Sequence, residues 1–233
     1  MTIKSVHVVT GGSIDSLDYE SGISDAAYKN LGKVLPVDER LQTPEGINLI
    51  GPIWKQDTRF TYVFNWGVPI EEEFMPNEYF LKGPVRPIAD YRHMWNSALV
   101  SDKFRIIVEK FEPGVHQFFP AQVFWRRNNP IAEKFYFFNV CNNLDSVHSG
   151  KSELPPRETI FAPAYDMEVS KPWKVRRGIK NKIVFDRKKI SGCHLWRDGY
   201  LLSRGLNCTD EFMNACLEAQ ILGIKFSAGN ETA

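Results

Sequence analysis

Ser101-Asp102-Lys103-Phe104-Arg105-Ile106-Ile107-Val108-Glu109-Lys110-Phe111, closed by Glu112-Pro113-Gly114, decides how the rest of the chain is read. Ser101 has a hydroxyl that can accept from an orphan backbone N–H, and Asp102 brings negative charge to the positive end of a helix. Phe104, Ile107, Val108 and Phe111 recur at helical spacing before Pro113-Gly114 stops them. This spacing predicts a helix opening at Ser101 with one apolar face. Two aromatic runs follow, from His116 to Trp125 and from Lys134 to Cys141, around a turn at Asn128-Asn129-Pro130. Runs of that length and composition predict two strands joined as a hairpin. A helix beside a hairpin is an α+β arrangement, and the flanking sequence extends it.

Toward the C-terminus, a long polar connection covers about residues 142 to 160, and strands are expected at Lys182 to Phe185 and His194 to Leu201. Thr209 can cap a second helix, with Asp210 and Glu211 at its positive end and Phe212, Cys216 and Ala219 on its apolar face. Gly223 ends it, and Ile224-Lys225-Phe226 reads as the final strand. Ser101-Asp102-Lys103-Phe104 leading to Gly114 and Phe118 thus echoes Thr209-Asp210-Glu211-Phe212 leading to Gly223 and Phe226. Shared capping rules suffice for such an echo, and a duplication is the alternative.

Toward the N-terminus, Pro69, Pro76, Pro84 and Pro87 deny a long helix or central strand, so residues 67 to 90 read as a surface loop and a boundary. Residues 1–87 form a strand- and loop-rich region of weak definition, and residues 88–233 an α+β domain. Within the first region, Ile3 to Val9 reads as a short edge strand, Ser24 to Tyr28 as a short helix, and Arg59 to Trp66 as a strand. The expected fold class is α+β: strand-rich, with antiparallel sheets and a few packed helices.

Composition narrows the function classes. The 233 residues are 43% hydrophobic and 24% charged, an ordinary globular mixture. With 29 basic and 28 acidic residues the net charge is +1, which removes a globally basic nucleic-acid binder. No stretch is long and apolar enough for a membrane span, and the start lacks the apolar run of a secretory signal, so a cytoplasmic protein is expected. Cys141, Cys193, Cys208 and Cys216 are irregularly spaced and read as reduced thiols.

The search for chemistry returns no catalytic motif. Gly150-Lys151-Ser152 imitates the tail of a phosphate loop, but Asp145 stands where that loop needs glycine. His7, His93, His116, His148 and His194 never pair at i, i+4, and there is no Cys-x-x-Cys, so neither metal nor cofactor is expected. No serine lies in a Gly-x-Ser-x-Gly elbow. Glu71-Glu72-Glu73 reads as a solvated loop rather than an acid–base pair. Between Lys171 and Lys189, nine Lys and Arg residues oppose Asp186 alone, with Trp173 and Phe185 interleaved. That basic segment is either a solvated face or a surface for single-stranded nucleic acid. His194-Leu195-Trp196-Arg197-Asp198 is compact and reads as structural, with a buried ring beside an ion pair or turn cap.

Ile88-Ala89-Asp90-Tyr91, Leu99 to Phe104, Gly114 to Ala121 and Phe135 to Val140, in that order, resemble the immunity proteins of bacterial polymorphic toxin systems. That family was long known only as a domain of unknown function. Lys189 to Asp198, the helix from Asp210 and Leu222 to Phe226 continue the resemblance, which covers residues 88 to 226. It implies a non-enzymatic cytoplasmic protein that binds and neutralises a toxin delivered by contact or by type VI secretion, possible nuclease toxins included. Glu71, Glu72 and Glu73 are the candidate contacts for a basic toxin, and Trp173, Arg176 and Arg177 for an acidic one. The alternative is nucleic-acid binding through residues 171–189. Oligomeric state stays open.

Overall fold

A computed structural model describes residues 5–11, 21–22, 69–81, 87–94, 97–126, 129–155, 157, 159–162, 167–170, 182–201, 206–227 and 230–233. The expected helix at Ser24–Tyr28 and strand at Arg59–Trp66, like Trp173, Arg176 and Arg177, lie outside the described residues. The strands are β1 (Ser5–Gly11), β2 (Ser21–Gly22), β3 (Glu78–Leu81), β4 (Tyr91–Met94), β5 (Ser97–Ser101), β6 (Gln117–Trp125), β7 (Asn129–Pro130) and β8 (Phe135–Asn139). They continue with β9 (Asn143–Leu144), β10 (Thr159–Ala162), β11 (Met167–Ser170), β12 (Val184–Phe185), β13 (Leu195–Asp198), β14 (Leu206–Thr209), β15 (Ile224–Phe226) and β16 (Asn230–Thr232). Two helices, α1 (Asp102–Phe111) and α2 (Asp210–Glu218), accompany them.

Both helices start where the sequence places them, for the physical reason given. Ser101 Oγ accepts from Phe104 N at 3.3 Å, and Thr209 Oγ1 accepts from Phe212 N at 3.4 Å. Each cap is also the last residue of a strand, so β5 runs directly into α1 and β14 directly into α2. The hairpin expected around residue 129 is present as β6 and β8, paired antiparallel with Phe119 opposite Phe137.

The first sheet runs β2-β3-β6-β8-β5-β4 with β7 also on β6. The second runs β12-β16-β1-β14-β13-β9 with β15 also on β1, and β10-β11 stand as a separate pair. The fold is α+β and strand-rich, but the sheets are mixed rather than purely antiparallel, because β3–β6, β12–β16 and β13–β9 are parallel pairs. Two further expectations are corrected. β1 is interior, flanked by β14 on one side and by β15 and β16 on the other. The proline-rich stretch contains β3, which fits between Pro76 and Pro84 and therefore leaves no ladder bond to a proline nitrogen.

Described residues alternate between the faces of the two larger sheets, as the two-residue period of a strand requires. Leu99, Phe135 and Phe137 face one cluster with Ile70, Tyr79 and Leu81, whereas Ala98, Val100 and Phe138 face another. That second cluster is the shared centre of the molecule, since Val9, Leu195, Leu206 and Cys208 of the second sheet and Phe104, Val108, Phe212 and Cys216 of the helices join it. The far face of the second sheet carries Val6, Phe185, Ile190 and Trp196.

The sequence echo has a structural counterpart. The order β6-β8-β5-β4 in the first sheet matches β15-β1-β14-β13 in the second, with every neighbour antiparallel. Registers agree as well: Ser101 faces Phe135 and Thr209 faces Val6, while Phe118 faces Phe138 and Phe226 faces Val9. The two units meet through their helices, with the rings of Phe104 and Phe212 edge to face at 6.0 Å. Gly223, at φ +83°, lets the α2 exit approach the start of β4 so closely that a Cβ there would lie 2.5 Å from the Tyr91 carbonyl oxygen.

Candidate functional site: a buried polar motif and its surrounding surface

His194, Trp196, Arg197 and Asp198 are brought together by β13, a strand buried along its whole length. Trp196 packs edge to face on Phe185 at 6.0 Å, and its indole N–H donates to Ser146 Oγ at 3.0 Å. Ser146 in turn donates both its hydroxyl (2.6 Å) and its N–H (2.8 Å) to Asp198 Oδ2. The other carboxylate oxygen accepts from Tyr200 N and Leu201 N at 2.8 and 3.0 Å. Burial pushes the Asp198 carboxyl upward, with these donors acting against that shift. Burial also brings the Arg197 guanidinium down to about 10, and lowers His93, which Arg197 depresses further.

His194 belongs to a second network, centred on Glu112 at the C-terminal cap of α1. Glu112 Oε1 accepts from His194 N at 2.9 Å and Asn142 Nδ2 at 3.0 Å, and Oε2 lies 2.6 Å from His116 Nε2. The Cys141 N–H donates to His116 Nδ1 at 3.1 Å, so the ring proton is on Nε2 and points at Glu112. Both ring nitrogens are thereby committed to protein groups, leaving none to accept a proton from a substrate. The network ties the end of α1, the start of β6, the end of β8 and β13 together.

Ser5, His7 and Asp210 supply the residue types of a hydrolytic triad, but the arrangement differs. His7 Nδ1 bonds the Ser227 carbonyl at 2.9 Å, and Nε2 bonds Asp210 Oδ1 at 3.0 Å. Ser5 donates its hydroxyl to the same oxygen of Asp210, so serine and histidine both lock the first turn of α2. Burial raises the Asp210 carboxyl, and the bonds from Ser5 and His7 outweigh it and hold the group below the ordinary carboxylate value. The first unit has the counterpart: Tyr136 donates to Asp102 Oδ1 at 3.0 Å. Among the described residues no three His, Cys, Asp or Glu side chains are placed to hold a metal ion.

The surface carries different features. Glu71, Glu72 and Glu73 are exposed on a short 3-10 turn, Glu72–Phe74, while Ile70 and Met75 on either side are buried. Gln117 clamps the backbone of Ile70 with bonds of 2.8 and 2.9 Å, which fixes the acidic turn on β6. In the described end of the basic segment, Lys182 pairs with Glu231 at 2.9 Å, Lys189 with Asp145 at 3.5 Å, and Arg187 bonds Thr232 Oγ1 at 2.7 Å. Ile106 and Leu217 are 57% and 56% exposed on the outward sides of α1 and α2. Both lie off the apolar stripes of their helices and face solvent.

No helix among the described residues is long and apolar enough to cross a membrane. No curated protein matches the chain. The family model described as the immunity protein family (Imm11) matches residues 30–231.

Proposed function

Since the chain belongs to the Imm11 immunity protein family, we propose that it acts in the cytoplasm by binding a cognate toxin domain and neutralising it through that contact. The family match over most of the chain carries this reading. Affinity rather than turnover is then the activity, which fits two buried carboxylates that are spent on internal bonds, Asp198 accepting four and Glu112 three. A partner would meet an acidic turn at Glu71, Glu72 and Glu73, or the basic segment around Trp173, Arg176 and Arg177, according to its own charge. Steering charges act chiefly on the association rate. The nucleic-acid alternative is weakened by the engagement of Lys182, Arg187 and Lys189 with acidic or hydroxyl partners.

Capture of the tagged protein from its own cells, at moderate salt and after nuclease treatment, tests the reading. One toxin domain retained in equal amount is the expected result. Loss of all partners on nuclease treatment would instead favour the basic segment and nucleic acid. With the toxin in hand, reversing the three glutamates to lysine slows association at low salt if that turn faces it, and an unchanged rate removes the turn from the interface.

A further inference from the structure

The two helix-bearing units agree in more than strand order. Ser101, Asp102, Phe104, Val108 and Phe118 correspond at one constant offset to Thr209, Asp210, Phe212, Cys216 and Phe226. Asp90 O accepts from Ser101 N at 2.8 Å, and His194 O accepts from Thr209 N at 3.1 Å. Both cap hydroxyls also meet the side chain of that preceding residue, Asp90 at 2.6 Å and His194 at 3.1 Å. Lys103 Nζ lies 3.8 Å from Asp90 Oδ2, and His194 Nδ1 lies 3.5 Å from Glu211 Oε2, so the acidic and basic residue types exchange places at one equivalent contact. Capping rules explain a hydroxyl before each helix, but they do not dictate which strand lies beside the capped one, nor its register.

One position breaks the parallel in chain order while keeping it in space. In the first unit, the strand between β5 and β6 is β8, which follows β6. In the second, the strand between β14 and β15 is β1, from the beginning of the chain. β15 and β16 run in line along β1, with Val9 opposite Phe226 and Ser5 opposite Glu231. β16 therefore lies beside the first residues of β1.

We propose that the protein is a two-fold repeat of a four-strand, one-helix unit whose second copy is circularly permuted, with β1 as its closing strand. Withdrawing β1 strips β14 and β15 of a partner and uncovers Val6 and Val9, which are 0% and 1% exposed.

Amide hydrogen exchange on the full-length protein tests this first. β1 amides bonded to β14 and β15 are expected to exchange as slowly as those of β14 itself, through global unfolding. Exchange of β1 about 100-fold faster, with β14 and α2 still protected, would overturn the proposal, since the second unit would then stand without it. A permuted chain with Ala233 joined to Met1 and opened between Gly12 and Ser13 retains every residue. It is expected to unfold cooperatively with a Tm within about 5 °C of the parent. A permuted chain with no cooperative transition would equally overturn it.

Discussion

Gly223 and Gly114 separate two costs that are usually confounded. Both have positive φ, +83° and +68°, but a Cβ on Gly223 would lie 2.4 Å from the Ala89 Cβ and 2.5 Å from the Tyr91 oxygen, whereas one on Gly114 meets nothing within 4 Å. Gly114→Ala should therefore cost about 1 kcal/mol from backbone strain alone. Gly223→Ala should cost about 2–4 kcal/mol, because neighbouring backbone must also move. Denaturant titration of both variants checks this, and equal losses would show that β4 yields to the added methyl. Gly223 was legible in sequence as a helix terminator, but its close approach was not, because that depends on a strand more than a hundred residues away. Glu112 was illegible for the same reason. A glutamate beside Pro113-Gly114 reads as a surface residue, and only the arrival of Asn142 and His194 makes it a buried hub.

At the scale of elements, the helices and the central hairpin were legible because their signals are local: a cap, a period, a turn. Pairing partners were not. Nothing within Ser5–Gly11 announces that β14 and β15 will flank it, and that is why an interior strand reads as an edge one. The first turn of α1 gives a pH test of the local account. The Arg105 hydrogen bond, with Tyr136 adding to it, holds the Asp102 carboxyl below its ordinary 3.8. A carboxyl lowered in the native state stabilises above its unfolded value, and that contribution is lost as pH falls through the native one. Thermal melts of the parent and Asp102→Asn should therefore differ most well above pH 3.8 and converge as the pH falls below it. A constant difference across that range would mean that the carboxylate charge is not what matters there.

For the whole molecule, the candidate site divides by what sequence can express. The compact run His194 to Asp198 was visible as a unit, and its partners Ser146, Asn142 and Glu112 were not, since they arrive from β9's flanks and the end of α1. The exposed acidic turn was visible as a charge run, and its clamp by Gln117 was not. Ile106 and Leu217 lie off the apolar stripes of α1 and α2, and large aliphatic residues exposed singly in this way are ordinary on a protein surface. Membership in the immunity protein family implies a toxin partner. The most direct test is titration of the purified protein into the captured toxin domain, following the toxin's own activity. The account predicts complete inhibition at one equivalent, with a Kd of about nanomolar or tighter. Full toxin activity at about tenfold excess would contradict it.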